Sequence, residues 1–178
     1  MNGPNILTGL RILMIPALIV ILLSGHSQKA IIGFAIFMAA AITDMLDGIW
    51  ARKKGQITVF GELLDPTADK LLIASAFICL VELGVVPAWM VIVIIGREIA
   101  VSGFRAIASS KGINIPASIF GKIKMNAETY TVALLILGEG ILGKLYVFSQ
   151  IGLWISIVTA VLSAAEIYIK FGKKVLSN

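Results

Sequence analysis

Asp44-Met45-Leu46-Asp47-Gly48-Ile49-Trp50-Ala51-Arg52, followed after eight residues by Gly61-Glu62-Leu63-Leu64-Asp65-Pro66-Thr67-Ala68-Asp69, sets four aspartates between two apolar runs. Upstream, Ile31 to Thr43 is almost wholly apolar. Downstream of Lys70, Leu71 to Val81 is apolar again. An ionised carboxylate in or beside hydrocarbon costs kilocalories per group, so acids in such surroundings are functional candidates by default. Four at regular spacing ask for a shared cation. A solvated loop of a soluble protein is the competing reading, and the apolar flanks argue against it.

On a helix, residues three or four apart share a face, which pairs Asp44 with Asp47 and Asp65 with Asp69. Each helix then presents two carboxylates over roughly one turn of about 5.4 Å. Hard oxygen donors of this kind suit two divalent cations, Mg²⁺ or Mn²⁺. Held roughly 4 Å apart, two such ions have the geometry used for in-line displacement at phosphorus. Gly48 and Gly61 carry no side chain, so a ligand can approach the backbone there. Arg52 adds a planar, permanently charged fork for phosphate.

Composition agrees with a membrane setting. Of 178 residues 58% are hydrophobic and 14% charged, outside the range of ordinary soluble domains. Mean hydropathy is +0.98. A span needs roughly 20 residues, so the length accommodates about six in a single domain, 1–178. The opening Met1-Asn2-Gly3-Pro4-Asn5 shows neither a basic stretch nor a small-residue cleavage site, so the first apolar run is expected to be retained. The lone cysteine, Cys79, sits in an apolar run and reads as a core thiol. A net charge of +5 is compatible with nucleic-acid binding, but no polar surface is left to dock it. Membrane topology and an anionic substrate account for the basic residues instead.

The sequence thus predicts an all-α integral membrane protein with six transmembrane helices, at Ile6 to Ser24, Ala30 to Ala51, Leu63 to Leu83, Pro87 to Ser109, Lys122 to Leu137 and Leu145 to Phe171. With both termini cytoplasmic, all 15 Lys and Arg except Lys29 and Lys144 fall on the inner side. Asp44 and Asp47 then lie roughly 21 to 26 Å along the second helix from its outer end. Asp65 and Asp69 lie at a similar level on the third. Both pairs meet in the inner leaflet, where a lipid headgroup and a soluble cytoplasmic substrate can share one cavity.

Arg97 and Arg105, eight apart in the fourth apolar run, share a broad helix face and want an anion. The alternative is internal pairing with Glu98, Glu128 or Glu166. Lys122 and Lys124 open the fifth span from the inner side, where lysines are ordinarily anchors. Asn5, Thr8 and Arg11 recur at three-residue spacing near the start. Asn5 or Thr8 suits a helix cap, and Arg11 suits an interfacial anchor. His26 reads as a solvated residue of an outer turn. Trp89 fits an aromatic belt.

The run Asp44-x2-Asp47-Gly48-x2-Ala51-Arg52-x8-Gly61-x3-Asp65-x3-Asp69 resembles, position for position, the signature of the CDP-alcohol phosphotransferases. Eight specified positions at fixed spacing make that a specific match. Arg97 to Arg105 and Gly121-Lys122-Ile123-Lys124 are similar to segments of the phosphatidylglycerophosphate synthase branch, with Met125 standing where that branch commonly has Thr. The similarity runs from Pro4 to Tyr168. It implies transfer of a phosphatidyl group from CDP-diacylglycerol to glycerol 3-phosphate at the cytoplasmic face of a cell membrane. By resemblance, Asp44, Asp47, Asp65 and Asp69 hold the metals and Asp69 acts as general base. Gly48, Ala51, Arg52 and Gly61 line the nucleotide site, which Asn5 and Thr8 border. Arg97, Arg105, Lys122 and Lys124 hold the acceptor phosphate, and the chain forms a homodimer. Sibling enzymes using serine, inositol phosphate or phosphatidylglycerol are the nearest alternative. A divalent-cation carrier is the alternative of another class, but the outer half offers no acids beyond Glu82 and Glu139 to line a path.

Overall fold

A computed structural model of the chain describes residues 3–54, 59–116 and 118–176, with side chains described for residues 9–43, 67–116 and 118–176. Among the described residues there are six α-helices: α1 (Gly3–Leu23), α2 (Lys29–Lys54), α3 (Val59–Glu82), α4 (Ala88–Ser110), α5 (Ile119–Leu142) and α6 (Val147–Leu176). A 3₁₀ turn, Gly143–Tyr146, joins the last two. No strand occurs among the described residues.

Every predicted apolar run coincides with one helix, and the differences lie at the ends. The third helix starts at Val59 and the fifth at Ile119, earlier than hydropathy alone places them. Polar first turns end an apolar run without ending the backbone ladder. The fifth helix also runs past Leu137 to Leu142. It crosses Gly138, whose φ of 72° and ψ of 171° interrupt the helix without ending it. The sixth continues beyond Phe171 to Leu176, with Lys173 and Lys174 in its last turn, where cations face the negative end of the helix dipole.

Tight turns set the packing. Gly84 (φ 70°) ends α3 with Val85 N–H donating to the Leu80 carbonyl at 2.9 Å and Gly84 N–H to that of Val81. Gly112 (φ 71°) repeats this after α4, with Ile113 N–H donating to the Ala108 carbonyl at 2.9 Å. In both turns a left-handed glycine satisfies the last carbonyls and reverses the chain. His26 lies in the exposed α1–α2 turn, where its Nδ1 accepts the Gln28 N–H at 3.1 Å.

The main core joins Leu18 and Leu22 of α1, Phe37 of α2, Phe77 and Leu80 of α3, Ile94 of α4 and Leu135 of α5. Cys79 is buried within it as a free thiol. A smaller core packs Val101, Phe104 and Ala108 of α4 against Ile113, Ile115 and Ile167. Large apolar side chains also face outward, among them Leu13, Ile92 and Ile169. Such an apolar exterior is a poor match for water. The helical segment Ile119–Leu176 is long and apolar enough to cross a membrane, and Gly9–Leu23 and Lys29–Thr43 are shorter apolar stretches. The fold is all-helical and compatible with a membrane protein.

Candidate active site

Backbone helix runs unbroken through Lys29–Lys54 and Val59–Glu82, so the three- and four-residue spacings of the aspartates keep their face-sharing meaning. α1 packs against both α2 and α3, and α2 against α3. The side chains of Asn5, Thr8, Asp44, Asp47, Gly48, Ala51, Arg52, Gly61 and Asp65 lie outside the described residues. Asp69 is described.

Its carboxylate meets α1. Arg11 Nη1 donates to Asp69 Oδ1 at 3.2 Å, with the arginine side chain 0% exposed and the aspartate 30%. A fully buried guanidinium is not an interfacial anchor, so that reading of Arg11 is replaced by one in which it holds an aspartate of the motif. Among the described residues no group of three or more His, Cys, Asp or Glu forms a metal centre. The four aspartates of the motif are nevertheless all carboxylates in the sequence, and Asp69 is not fully buried. That chemistry fits a hard divalent ion.

A second polar cluster joins α4, α5 and α6. Arg97 donates to Glu98 Oε1 and to Ser163 Oγ, and its Nε donates to the Ala160 carbonyl at 3.3 Å. Lys124 Nζ reaches Glu98 Oε1 at 2.6 Å and Glu128 Oε2 at 2.8 Å. Lys124 and Glu128 are 4% and 3% exposed. Of the glutamates available to Arg97, its neighbour Glu98 is the one used, while Glu166 pairs with Lys170 at 2.6 Å. Two of the four candidate acceptor cations are therefore already neutralised.

Arg105 and Lys122 are different. Among the described residues neither is paired with a carboxylate. Arg105 Nη2 donates to the Pro116 carbonyl at 3.4 Å, and Arg105 lines a cavity of about 350 Å³ with Ser109, Asn114 and the backbone turn at Gly112. Lys122 is exposed in the first turn of α5, which is capped by Ser118 accepting the Gly121 N–H at 3.0 Å. The structure brings Arg97 and Lys124 together through Glu98, and among the described residues it gives Arg105 and Lys122 no carboxylate partner.

The model of the CDP-alcohol phosphatidyltransferase family matches residues 1–162 of this chain. The chain belongs to the CDP-alcohol phosphatidyltransferase family. It is 37% identical, across 95% of its length and 94% of the relative's, to the CDP-diacylglycerol–glycerol-3-phosphate 3-phosphatidyltransferase of Bacillus subtilis. It is 35% identical to the enzyme of that name from Rickettsia felis, covering 97% of this chain and 96% of the relative. A probable phosphatidylglycerophosphate synthase of Mycobacterium tuberculosis is 38% identical over 93% of this chain and 79% of its own.

In this CDP-alcohol phosphatidyltransferase, sequence reading missed the Arg11–Asp69 pair, whose partners are 58 residues apart. The available signal was an arginine inside an apolar run. A buried cation demands a carboxylate, and the aspartate motif held the nearest supply. It also missed the contact of Lys70 Nζ with Ser102 Oγ at 2.5 Å, which ties α3 to α4. Helical spacing puts Ser102 on one face with Glu98 and Arg105, but nothing in the sequence says that Lys70 of α3 meets it.

Proposed function

We propose that this family member transfers the phosphatidyl group of CDP-diacylglycerol to glycerol 3-phosphate, yielding phosphatidylglycerophosphate and CMP. The observation that carries this reading is the 37% identity, over nearly the full length of both chains, to a relative named for that reaction. The geometry supports it with an aspartate motif on two neighbouring helices and with Arg105, unpaired with any described carboxylate, lining a cavity.

In this reading the chain crosses the cytoplasmic membrane six times as a homodimer. Both termini and the active site face the cytoplasm. Asp44, Asp47, Asp65 and Asp69 hold two Mg²⁺ or Mn²⁺ ions, which when bound offset charge on the diphosphate and the departing CMP. Gly48, Ala51 and Gly61 give the nucleotide close access to backbone, with Arg52 beside its phosphates and Asn5 and Thr8 at its border. Asp69 accepts the proton of the glycerol 3-phosphate 1-hydroxyl as that oxygen attacks the β-phosphorus. Arg11 holds Asp69 in position. Arg105 and Lys122 receive the phosphate of the acceptor. Arg97 and Lys124, held by Glu98 and Glu128, form the neutralised frame behind them.

The test supplies CDP-diacylglycerol to the purified protein with glycerol 3-phosphate, serine, inositol phosphate or phosphatidylglycerol, and measures CMP release. Release with glycerol 3-phosphate alone is expected. Release with another acceptor moves the protein to a sibling activity, and release with none removes the reading.

A further inference from the structure

Lys70 follows Asp69 directly on α3, and successive helical residues point about 100° apart. Asp69 turns to Arg11 on α1, while Lys70 turns to α4 and donates to Ser102 Oγ at 2.5 Å. Ser102 is not an isolated polar residue. Glu98, Ser102, Arg105 and Ser109 recur at intervals of four, three and four, so they form one polar stripe on a largely apolar helix. The stripe starts at the Glu98 ion-pair cluster and ends at the cavity lined by Arg105 and Ser109.

Charge is unevenly balanced along it. Glu98 is shared by Arg97 and Lys124, and Glu128 completes the pairing of Lys124. Among the described residues no carboxylate pairs with Lys70 or Arg105, which flank Ser102. Lys70 is exposed and spends one of its three donors on the hydroxyl. The stripe therefore offers an ammonium, a hydroxyl and a guanidinium to a single anion, beside the aspartate that ends the motif.

We propose that Lys70 is a specificity-determining residue of the transfer reaction, binding the phosphate monoester of the acceptor together with Ser102 and Arg105. This rests on the function proposed above and adds a residue that the aspartate signature does not include. A dianionic monoester satisfies the unspent donors of both cations through charge-assisted bonds. An acceptor with no phosphate leaves them unsatisfied, which is how the site discriminates.

The experiment compares the full-length protein with Lys70→Met, Lys70→Arg and Ser102→Ala, measuring KM for each substrate and thermal unfolding. Lys70→Met is expected to raise KM for glycerol 3-phosphate about tenfold to a hundredfold, the range of one charge-assisted bond. KM for CDP-diacylglycerol and the unfolding temperature stay put. Lys70→Arg stays within about threefold of wild type, and Ser102→Ala raises the acceptor KM by about threefold. Inorganic phosphate competes with the acceptor in the wild type, and more weakly in Lys70→Met.

A lysine that is merely an interfacial anchor leaves the acceptor KM unmoved, and that result overturns the inference, as does an equal rise in both KM values. Should Lys70→Met fail to accumulate, Ser102→Ala and its competition by inorganic phosphate decide, an unchanged KM again overturning it. Wild-type protein that releases no CMP with glycerol 3-phosphate overturns the proposed function and this inference with it. Wild-type turnover with an unmoved Lys70→Met KM overturns the inference alone.

Discussion

Asp69 is the residue on which motif and structure converge. It ends the aspartate series, and it is held by Arg11 at 3.2 Å from another helix. As general base its carboxylate must be in place when the acceptor arrives, and the contact with Arg11 fixes where it stands. Asp69→Asn is therefore expected to retain binding of CDP-diacylglycerol while CMP release falls by at least about a hundredfold, within the range assigned to a general base. Near-normal turnover would remove Asp69 from that role. Arg11 has a separate, structural consequence. Removing one partner of a buried pair costs roughly 3–5 kcal/mol because the other is stranded. Asp69 is partly exposed, so Arg11→Gln should destabilise by about 3 kcal/mol, the lower end of that range. In a double-mutant cycle, Arg11→Gln with Asp69→Asn should cost less than the sum of the two, by about 1–3 kcal/mol. Chemical unfolding in detergent reads both quantities, and strict additivity would deny the coupling.

At the scale of helices, α4 is joined to α5 and α6 by charge from its middle onward and to α6 by an aromatic contact at its first turn. Glu98 and Glu128 clamp Lys124 of α5, Arg97 reaches α6, and Tyr168 of α6 donates to the Ala100 carbonyl at 3.2 Å. Near the other end Trp89 and Trp154 stack with ring centroids 5.9 Å apart, tilted by 58°. Close approach is purchased with glycine: a Cβ on Gly33 of α2 would stand 2.6 Å from Leu22 Cδ2 of α1. Gly138 does something else. Its φ of 72° with ψ of 171° belongs to a region essentially closed to side-chain-bearing residues, and it bends α5 before the 3₁₀ turn. Nothing stands within 4 Å of a Cβ built there, so the cost of Gly138→Ala is backbone strain alone. Gly138→Ala should cost about 1–3 kcal/mol and lower the unfolding temperature. An unchanged unfolding temperature would mean that α5 straightens without penalty.

For the whole molecule, the six-helix arrangement sets α1 against α2 and α3, and α4 against α3 and α6. α1 supplies Arg11 to α3, while α4 supplies Arg105 to the cavity. If the motif holds two divalent ions, exhaustive chelation should abolish CMP release, and Mg²⁺ or Mn²⁺ should restore it. Direct Mn²⁺ binding to the wild type, weakened in Asp69→Asn, checks the same point without turnover. Activity that survives complete chelation would end the metal proposal.

Much of this was legible in the linear chain. Helix number followed from apolar runs longer than any soluble element requires, and the signature at Asp44 to Asp69 led to the family that the comparison shows. Both are local properties: hydropathy and spacing are written residue by residue. Which cation meets which carboxylate was not written there. Arg97 and Lys124 looked as available as Arg105 and Lys122, because sequence records that opposite charges exist and not whether they touch. Burial decided it, since a cation withdrawn from water must take the nearest carboxylate that packing offers. So Arg11 went to Asp69, Lys124 to Glu98 and Glu128, and Lys70 was left beside Ser102. Composition and motif determined the kind of protein and its chemistry, and only helix packing decided which charges remain for a substrate.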